Sequence, residues 1–290
     1  MKVVLIGPLC KDRNILHNRV YVQPGGVVHY TGYALASLGT DTKIFASCSH
    51  EDVEFFQNRK YELMHIPKDG TIEFINEYSV DNPDNRTQRA VIPNNQILPE
   101  DIDFSALSEA DYVVLGPLYH KDISSHLIKE LYKQTSAKIV LALQGMIRHL
   151  DGEKIVWKSP EIDNILYMID YLAMDENELK FIAQNDDLYK AARFLQDKGA
   201  RNLLITQGGK GSKIFIGDEE YNIRAFPPQK LVDPTGAGDT YLAGFIKAKE
   251  LFDDPVKQGE FAAMTATICI EKHGPFDKSV DDILNRLGWK

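Results

Sequence analysis

The sequence predicts an α/β fold: a three-layer sandwich with a mainly parallel central sheet, helices on both of its faces and a small β lid. Three observations predict it. Short β-branched apolar runs recur along the chain, and such continuous runs suit strands buried on both faces. Helical patterns lie between them, and this regular alternation implies crossover units joining parallel strands. Two stretches break the alternation and read as antiparallel pairs.

The strand-like runs are Lys2 to Ile6, Lys43 to Ala46, Asp111 to Leu115, Lys138 to Leu143, Asp170 to Met174 and Asn202 to Thr206. Helical faces are formed by Tyr30, Ala34 and Leu38, by Leu127, Ile128 and Leu131, and by Leu188, Ala191, Ala192 and Leu195 before Gly199 ends the pattern. From Gly70 to Ile92, two alternating runs flank the turn cluster Asp81-Asn82-Pro83-Asp84-Asn85, a hairpin placed to act as a lid. The other exception, Ser212 to Phe226, carries two runs joined at Gly217-Asp218 and extends the sheet with antiparallel strands. No internal repeat or Pro/Ser-rich linker is evident, so 1–290 reads as one domain to which 11–22 and 66–92 contribute a small β lid.

With 43% apolar and 26% charged residues, the 290-residue chain has the composition of a globular protein with a sizeable core. A formal net charge of -9 argues against nucleic-acid partners, which call for a concentrated basic face, and favours small molecules. Cys10, Cys48 and Cys269 are far apart and form no CxxC pair, as free thiols in a reducing compartment would. The opening MKVVLIGPLCKDRN breaks at Gly7-Pro8 and reads as a first strand rather than a signal peptide. No apolar run approaches the roughly 20 residues that span a bilayer. A cytoplasmic location without a membrane partner is the expectation.

The most specific segment is Asp233-Pro234-Thr235-Gly236-Ala237-Gly238-Asp239-Thr240, followed by the helical pattern Leu242, Phe245, Ile246 and Phe252. Gly236, Ala237 and Gly238 offer N–H groups at a helix N-terminus with almost no side-chain bulk, where phosphate oxygens can reach the backbone. Asp239 stands in that first turn. A carboxylate there is stabilised by the helix dipole and can take a proton from a hydroxyl held beside the phosphate. Taken alone, the same residues also suit a tight turn and a carboxylate that complements the dipole.

DPTGAGDTYLAGF resembles the signature of the ribokinase (PfkB) carbohydrate-kinase family, whose usual form is D-T-x-G-A-G-D; Pro234 stands where the family often has Thr. The resemblance implies a ribokinase-like sandwich with ATP and Mg2+ as cofactors. It makes Asp239 the catalytic base, Gly236, Ala237 and Gly238 the anion hole, and Thr235 a nucleotide contact. Asp233 matches a residue near the family's monovalent-cation site, which suits K+. Pro24-Gly25-Gly26-Val27-Val28-His29-Tyr30 is similar to the N-terminal signature in which paired glycines let a substrate lie against the backbone, and Asp12 falls where the family's sugar-binding Asp usually lies. Gly25, Gly26, Tyr30 and Asp12 are therefore expected at the substrate.

Thr206-Gln207-Gly208-Gly209-Lys210-Gly211 resembles the family's nucleotide loop, T-x-G-x-x-G, which assigns Thr206, Gly208 and Gly211 to the nucleotide; it lacks the spacing of a Walker A loop. His273-Gly274 matches the region that closes around adenine. Met174-Asp175-Glu176-Asn177-Glu178 is similar to the N-x-x-E element that organises Mg2+, with Asp175 at the usual Asn and Glu178 at the Glu, although Asp175 and Glu178 also fit a helix capping box. Gln144-Gly145-Met146-Ile147-Arg148 resembles an element of an inositol-kinase-like branch, placing Gln144 and Arg148 at the substrate. The reaction implied is in-line phosphoryl transfer to a sugar or polyol, with myo-inositol a plausible acceptor. A nucleoside kinase would need an aromatic ring to stack a base, with Tyr30 or Phe74 available, and a catalytically silent binding or regulatory protein is the rival from another class. The lid edge suits a homodimer.

Overall fold

The computed structural model describes residues 1–16, 19–57, 59–78 and 86–289. The turn cluster Asp81–Asn85 lies outside them. Seven parallel strands form most of a nine-stranded sheet: β5 (Glu62–Lys68) at one edge, then β4 (Asp41–Ser49), β1 (Lys2–Pro8), β8 (Tyr112–Leu115), β9 (Lys138–Ala142), β12 (Tyr171–Asp175) and β13 (Asn202–Thr206). At the other edge, β14 (Ser212–Ile216) and β15 (Glu219–Ile223) add the expected antiparallel strands.

Alternate residues of β1 explain its unbroken apolar run. Val3 and Leu5 pack with α1 (Val27–Ser37), α6 (Ala237–Leu251), α7 (Pro255–Cys269) and α8 (Val280–Leu287) on one face. Val4 and Ile6 pack with α2 (Ser125–Gln134), α4 (Glu176–Ala183) and α5 (Leu188–Asp197) on the other. A strand covered on both sides has no polar face to alternate with. Between β9 and the next strand lies the short α3 (Gln144–Ile147).

The lid is a six-stranded sheet in the order β10 (Arg148–Asp151), β11 (Lys154–Trp157), β7 (Arg86–Val91), β6 (Ile72–Tyr78), β2 (Cys10–Leu16) and β3 (Arg19–Gly25). It differs from the expected 11–22 and 66–92 in two ways. Residues 66–68 belong to β5 of the central sheet, where Pro67 is tolerated because an edge strand is paired on one side only. The hairpin 148–157 joins the lid, turning at Gly152 with φ 61°; the polar run Arg148-His149-Leu150-Asp151 gave no strand signal.

Loops leaving the carboxyl ends of parallel strands converge, as they do where open α/β sheets bind ligands. Beyond β1 come Asp12, Gly25 and Gly26; beyond β9, Gln144 and Arg148; beyond β12, Glu178; beyond β13, the Gly208–Lys210 turn. Among the described residues no helix is long and apolar enough to cross a membrane, and the three cysteines are buried and free.

Candidate active site

Helix α6 begins at Ala237 with Gly236 as its N-cap in the left-handed conformation, φ 74°. A side chain is excluded there on two counts. The conformation disfavours L residues, and a Cβ would stand 2.3 Å from Tyr30 Cδ1. At Gly238, by contrast, a Cβ would meet nothing within 4 Å, so the first turn opens onto free space. The Thr31 hydroxyl donates to the Asp239 carbonyl at 3.1 Å, tying this turn to α1.

Asp239 is half-buried, and among the described residues no cation lies within ion-pair distance of its carboxylate. Burial pushes its pKa up to about 6; the Arg148 guanidinium pulls the other way, and the Asp12 charge adds to the rise. A carboxyl poised near neutrality and held only through its backbone is able to accept a proton.

Asp12 lies opposite, on β2. A Cβ on Gly25 would come within 2.3 Å of Asp12 Oδ2, so the expected glycine pair makes room for this carboxylate as well as for a substrate. The Cys10 thiol lies 3.8 Å from Asp12 Oδ1, and burial, followed by the Asp12 charge, raises its pKa well above the usual range. Residues 10, 12 and 14 alternate along β2 and share the lid's inner face with Phe74 and Asn76 of β6. Asn76 Nδ2 donates to Asn14 Oδ1 at 3.0 Å and Gln88 Nε2 donates to Asn76 Oδ1 at 2.9 Å, a directed carboxamide ladder across three lid strands. Period-two spacing could have pointed to Cys10 and Asn14; nothing in the sequence alone pairs Asn76 with Asn14 and Gln88.

Tyr30, expected at the substrate, packs against the start of α6. Tyr30 is 2% exposed and packed on Gly236, and burial with nearby carboxylates raises its pKa. Phe74 is 3% exposed, with the Arg148 guanidinium 5.2 Å from its ring centre.

The other half of the site is built on α4. Asp175 caps it, its Oδ1 accepting from Asn177 N at 2.7 Å and Glu178 N at 2.8 Å, while Glu178 Oε2 accepts from Asp175 N at 2.9 Å. The capping box is present, and it occupies one oxygen of each carboxylate. Glu178 is 3% exposed; burial, then the Asp175 charge, pushes its pKa up to about 7, against the hydrogen bond from Asp175 N and then the Arg148 charge. Gln144 and Arg148, at the two ends of α3, both act electrostatically to lower the pKa of this carboxyl. Among the described residues no three His, Cys, Asp or Glu side chains converge into a metal cage.

Thr206 lies in register with Asp175, and Gln207 N donates to Gly211 O at 2.8 Å to close the turn through Gly208. Lys210 Nζ reaches Glu176 at 2.8 Å, joining this loop to the start of α4. Ser212 Oγ and Tyr241 OH, 2.7 Å apart, join it to α6. Asp233 takes Thr235 N at 2.9 Å and lies 3.3 Å from His273 Nδ1; His273 is exposed and Gly274 faces open space, at the rim of the helix end. Cavities of about 350 and 780 Å3 open elsewhere, beside α4 and α5, and share no lining residue with the Asp239 cluster. A helix end and two neighbouring carboxyls, Asp239 and Asp12, mark the site.

Comparison with known proteins gives a family and relatives. The profile described as pfkB family carbohydrate kinase matches residues 78–282. A nucleoside kinase of Methanocaldococcus jannaschii is 42% identical over 72 residues, 25% of this chain and 24% of its own. An inositol 3-kinase of Arabidopsis thaliana is 25% identical over 84% of this chain and 67% of its own. The chain thus spans less than a quarter of the first of these relatives. Among solved structures, a pyrophosphate-dependent kinase in the ribokinase family, complexed with a pyrophosphate analog and myo-inositol, superposes with a TM-score of 0.84 at 23% identity, covering 98% of this chain and 99% of that one. This likeness establishes the ribokinase-like fold.

Proposed function

The chain belongs to the pfkB family of carbohydrate kinases, and from that membership we propose that it transfers the γ-phosphate of ATP to a hydroxyl of a small sugar or polyol. The observation that carries this reading is Asp239: a carboxyl of raised pKa in the first turn of a helix whose amino end opens onto free space, facing Asp12 across the site. The acceptor hydroxyl gives its proton to Asp239 as its oxygen forms a bond to the γ-phosphorus; the bond from phosphorus to the bridging oxygen breaks and ADP leaves. The amides of Gly236, Ala237 and Gly238 receive the charge on the transferring oxygens.

Asp175 and Glu178 fit a Mg2+ ion that keeps several waters, since such ions take one or two carboxylates and complete their shell with water and phosphate oxygens. When bound, the ion neutralises donor phosphate charge. Thr206, Gly208, Gly211, Thr235, His273 and Gly274 line the donor side, and a K+ ion beside Asp233 belongs to the same reading.

Polyols are favoured as acceptors over nucleosides because Tyr30 and Phe74 are buried, whereas Asp12 and the Asn14–Asn76–Gln88 ladder present hydroxyl-binding groups. The inositol 3-kinase among the relatives, and the structural neighbour complexed with myo-inositol, support myo-inositol as the first acceptor to try. A homodimer through the lid is part of the proposal: edge strand β3 exposes Val20, Tyr21 and Val22. The deciding experiment offers ATP and inorganic pyrophosphate as donors against myo-inositol, ribose, fructose and nucleosides, and detects phosphorylated product. Turnover of a sugar or polyol supports the reading. Nucleoside turnover alone replaces it with the nucleoside-kinase reading, and binding without turnover leaves a silent binding protein.

A further inference from the structure

The glycine turn after β13 hangs between two fixed ends. Thr206, the last residue of β13, is in register with Asp175 at the end of β12. Gly211 is locked at the other end: its φ is 99°, and a Cβ there would stand 2.1 Å from the Ile223 carbonyl oxygen of β15. Between these ends the turn closes on itself, through Gln207 N to Gly211 O at 2.8 Å, Lys210 N to Gln207 O at 3.1 Å and Gly211 N to Gly208 O at 3.0 Å. Its tip is open, since a Cβ at Gly208 or Gly209 would meet nothing within 4 Å. The two side chains that flank this tip reach one carboxylate. Lys210 Nζ donates to Glu176 Oε1 at 2.8 Å and Gln207 Nε2 donates to Glu176 Oε2 at 3.3 Å, with Lys180 Nζ 3.5 Å from the latter oxygen. Glu176 opens α4, and its side chain is 15% exposed.

We propose that Glu176 is a positioning residue for the phosphate donor: its carboxylate draws the 207–211 turn against the start of α4, so that the Gly208 and Gly209 amides are held at a set spacing from the Asp175 and Glu178 carboxyls. The inference rests on the reading of that turn as the donor loop. A single exposed ion pair holds little, but here both oxygens of a half-buried carboxylate are engaged by separate donors. The Lys180 contact is an ordinary pairing of residues four apart on one helix. The Gln207 and Lys210 contacts are different, because they cross from the helix to the turn. The capping box fixes Asp175 and Glu178, β13 fixes the base of the turn, and Glu176 spans from one to the other. A loop already held in its binding geometry gives up less freedom when the donor arrives.

The test compares the full parent chain with Glu176→Gln and Lys210→Met. Glu176→Gln keeps the size of the side chain and leaves the bonds between Asp175 and Glu178 in place, but removes the charge. Hydrogen exchange is read in the donor-free protein at the Gln207, Lys210 and Gly211 amides, which are closed within the turn. Both variants are expected to speed exchange there by about 2- to 10-fold, the range that corresponds to a small network of partly exposed ion pairs, and to leave exchange along α4 unchanged. In turnover, Glu176→Gln raises donor KM by the same factor of about 2 to 10, while kcat, acceptor KM and the Mg2+ dependence stay within about twofold. Unchanged exchange in the turn of folded Glu176→Gln overturns the proposal. Exchange that rises along α4 as much as in the turn also overturns it, by making Glu176 a support of the helix alone, and so does a fall in kcat at constant donor KM. Should Glu176→Gln fail to fold, Lys210→Met, whose side chain is exposed, decides by exchange. Absence of turnover by the unaltered protein with every donor and acceptor would sink the kinase reading instead, and the exchange comparison would still decide whether Glu176 holds the turn.

Discussion

Two neighbouring glycines at the start of α6 should respond to the same substitution in opposite ways. At Gly236 an alanine would adopt φ 74°, which is disfavoured by about 1–2 kcal/mol for an L residue, and would drive its Cβ into the Tyr30 ring at 2.3 Å. The ring is 2% exposed and has nowhere to retreat, so overpacking adds about 1–3 kcal/mol. At Gly238 the backbone is helical and a Cβ meets nothing within 4 Å, so alanine should leave stability unchanged or raise it by up to about 1 kcal/mol through helix propensity. That methyl nonetheless adds bulk at the turn whose amides receive the phosphate in the proposed reaction. Melting curves and a coupled ADP-release assay separate the two: Gly236→Ala lowers Tm by roughly 4–20 °C, whereas Gly238→Ala keeps Tm and loses about 10- to 100-fold in kcat, somewhat less than deleting an oxyanion donor outright. Wild-type kcat in Gly238→Ala would refute the idea that phosphoryl oxygens approach this turn. An unchanged Tm in Gly236→Ala would refute the packing argument.

Asp239→Asn should fold, bind donor and lose about 10²- to 10⁴-fold in kcat, measured by steady-state kinetics. The raised pKa of Asp239 also makes pH predictions. The protonated carboxyl accepts nothing, so kcat/KM should rise with pH through about 6. The folded state holds this proton more tightly than the unfolded one, so the stability contributed by the group is present at low pH and lost as pH rises through about 6; Asp239→Asn should therefore melt above the parent at pH 8 and level with it near pH 4. Glu178→Gln keeps an acceptor for Asp175 N, so the fold should persist with a weaker dependence of rate on Mg2+ and an acid limb still near 6; disappearance of that limb would name Glu178 as the base.

How much of this was legible in the sequence follows the range of each interaction. The α6 turn was readable because glycine conformation, free amides and a first-turn carboxylate are local chemistry within Gly236–Asp239. The partner that makes glycine obligatory at 236 is Tyr30, far away in the chain, and its ring was expected to face a substrate until tertiary packing closed it off. Asp175 and Glu178 were correctly seen as able to cap a helix, yet the burial that shifts Glu178 comes from α3 and the sheet. The lid was half visible: β6 and β7 alternate clearly, whereas Arg148-His149-Leu150-Asp151 becomes a strand only because Lys154–Trp157 pairs with it and one register contact, Lys154 with Arg89, joins the hairpin to β7.

Two carboxyls in this site have pKa values raised by the same leading cause, and their anchoring assigns them different work. Glu178 is fastened by Asp175 N and is 3% exposed, so gaining or losing a proton there would disturb a helix cap. Asp239 is fixed through its carbonyl by Thr31, and among the described residues no hydrogen bond or ion pair claims its carboxylate, so it can take a proton while the backbone stays still. A group that must change charge in every turnover belongs where that change breaks nothing. A group that must hold a geometry belongs where leaving it is expensive. The raised pKa alone would fit either residue to the base of the proposed reaction; the difference in anchoring is why the proposal gives that part to Asp239 and the support of the donor side to Glu178.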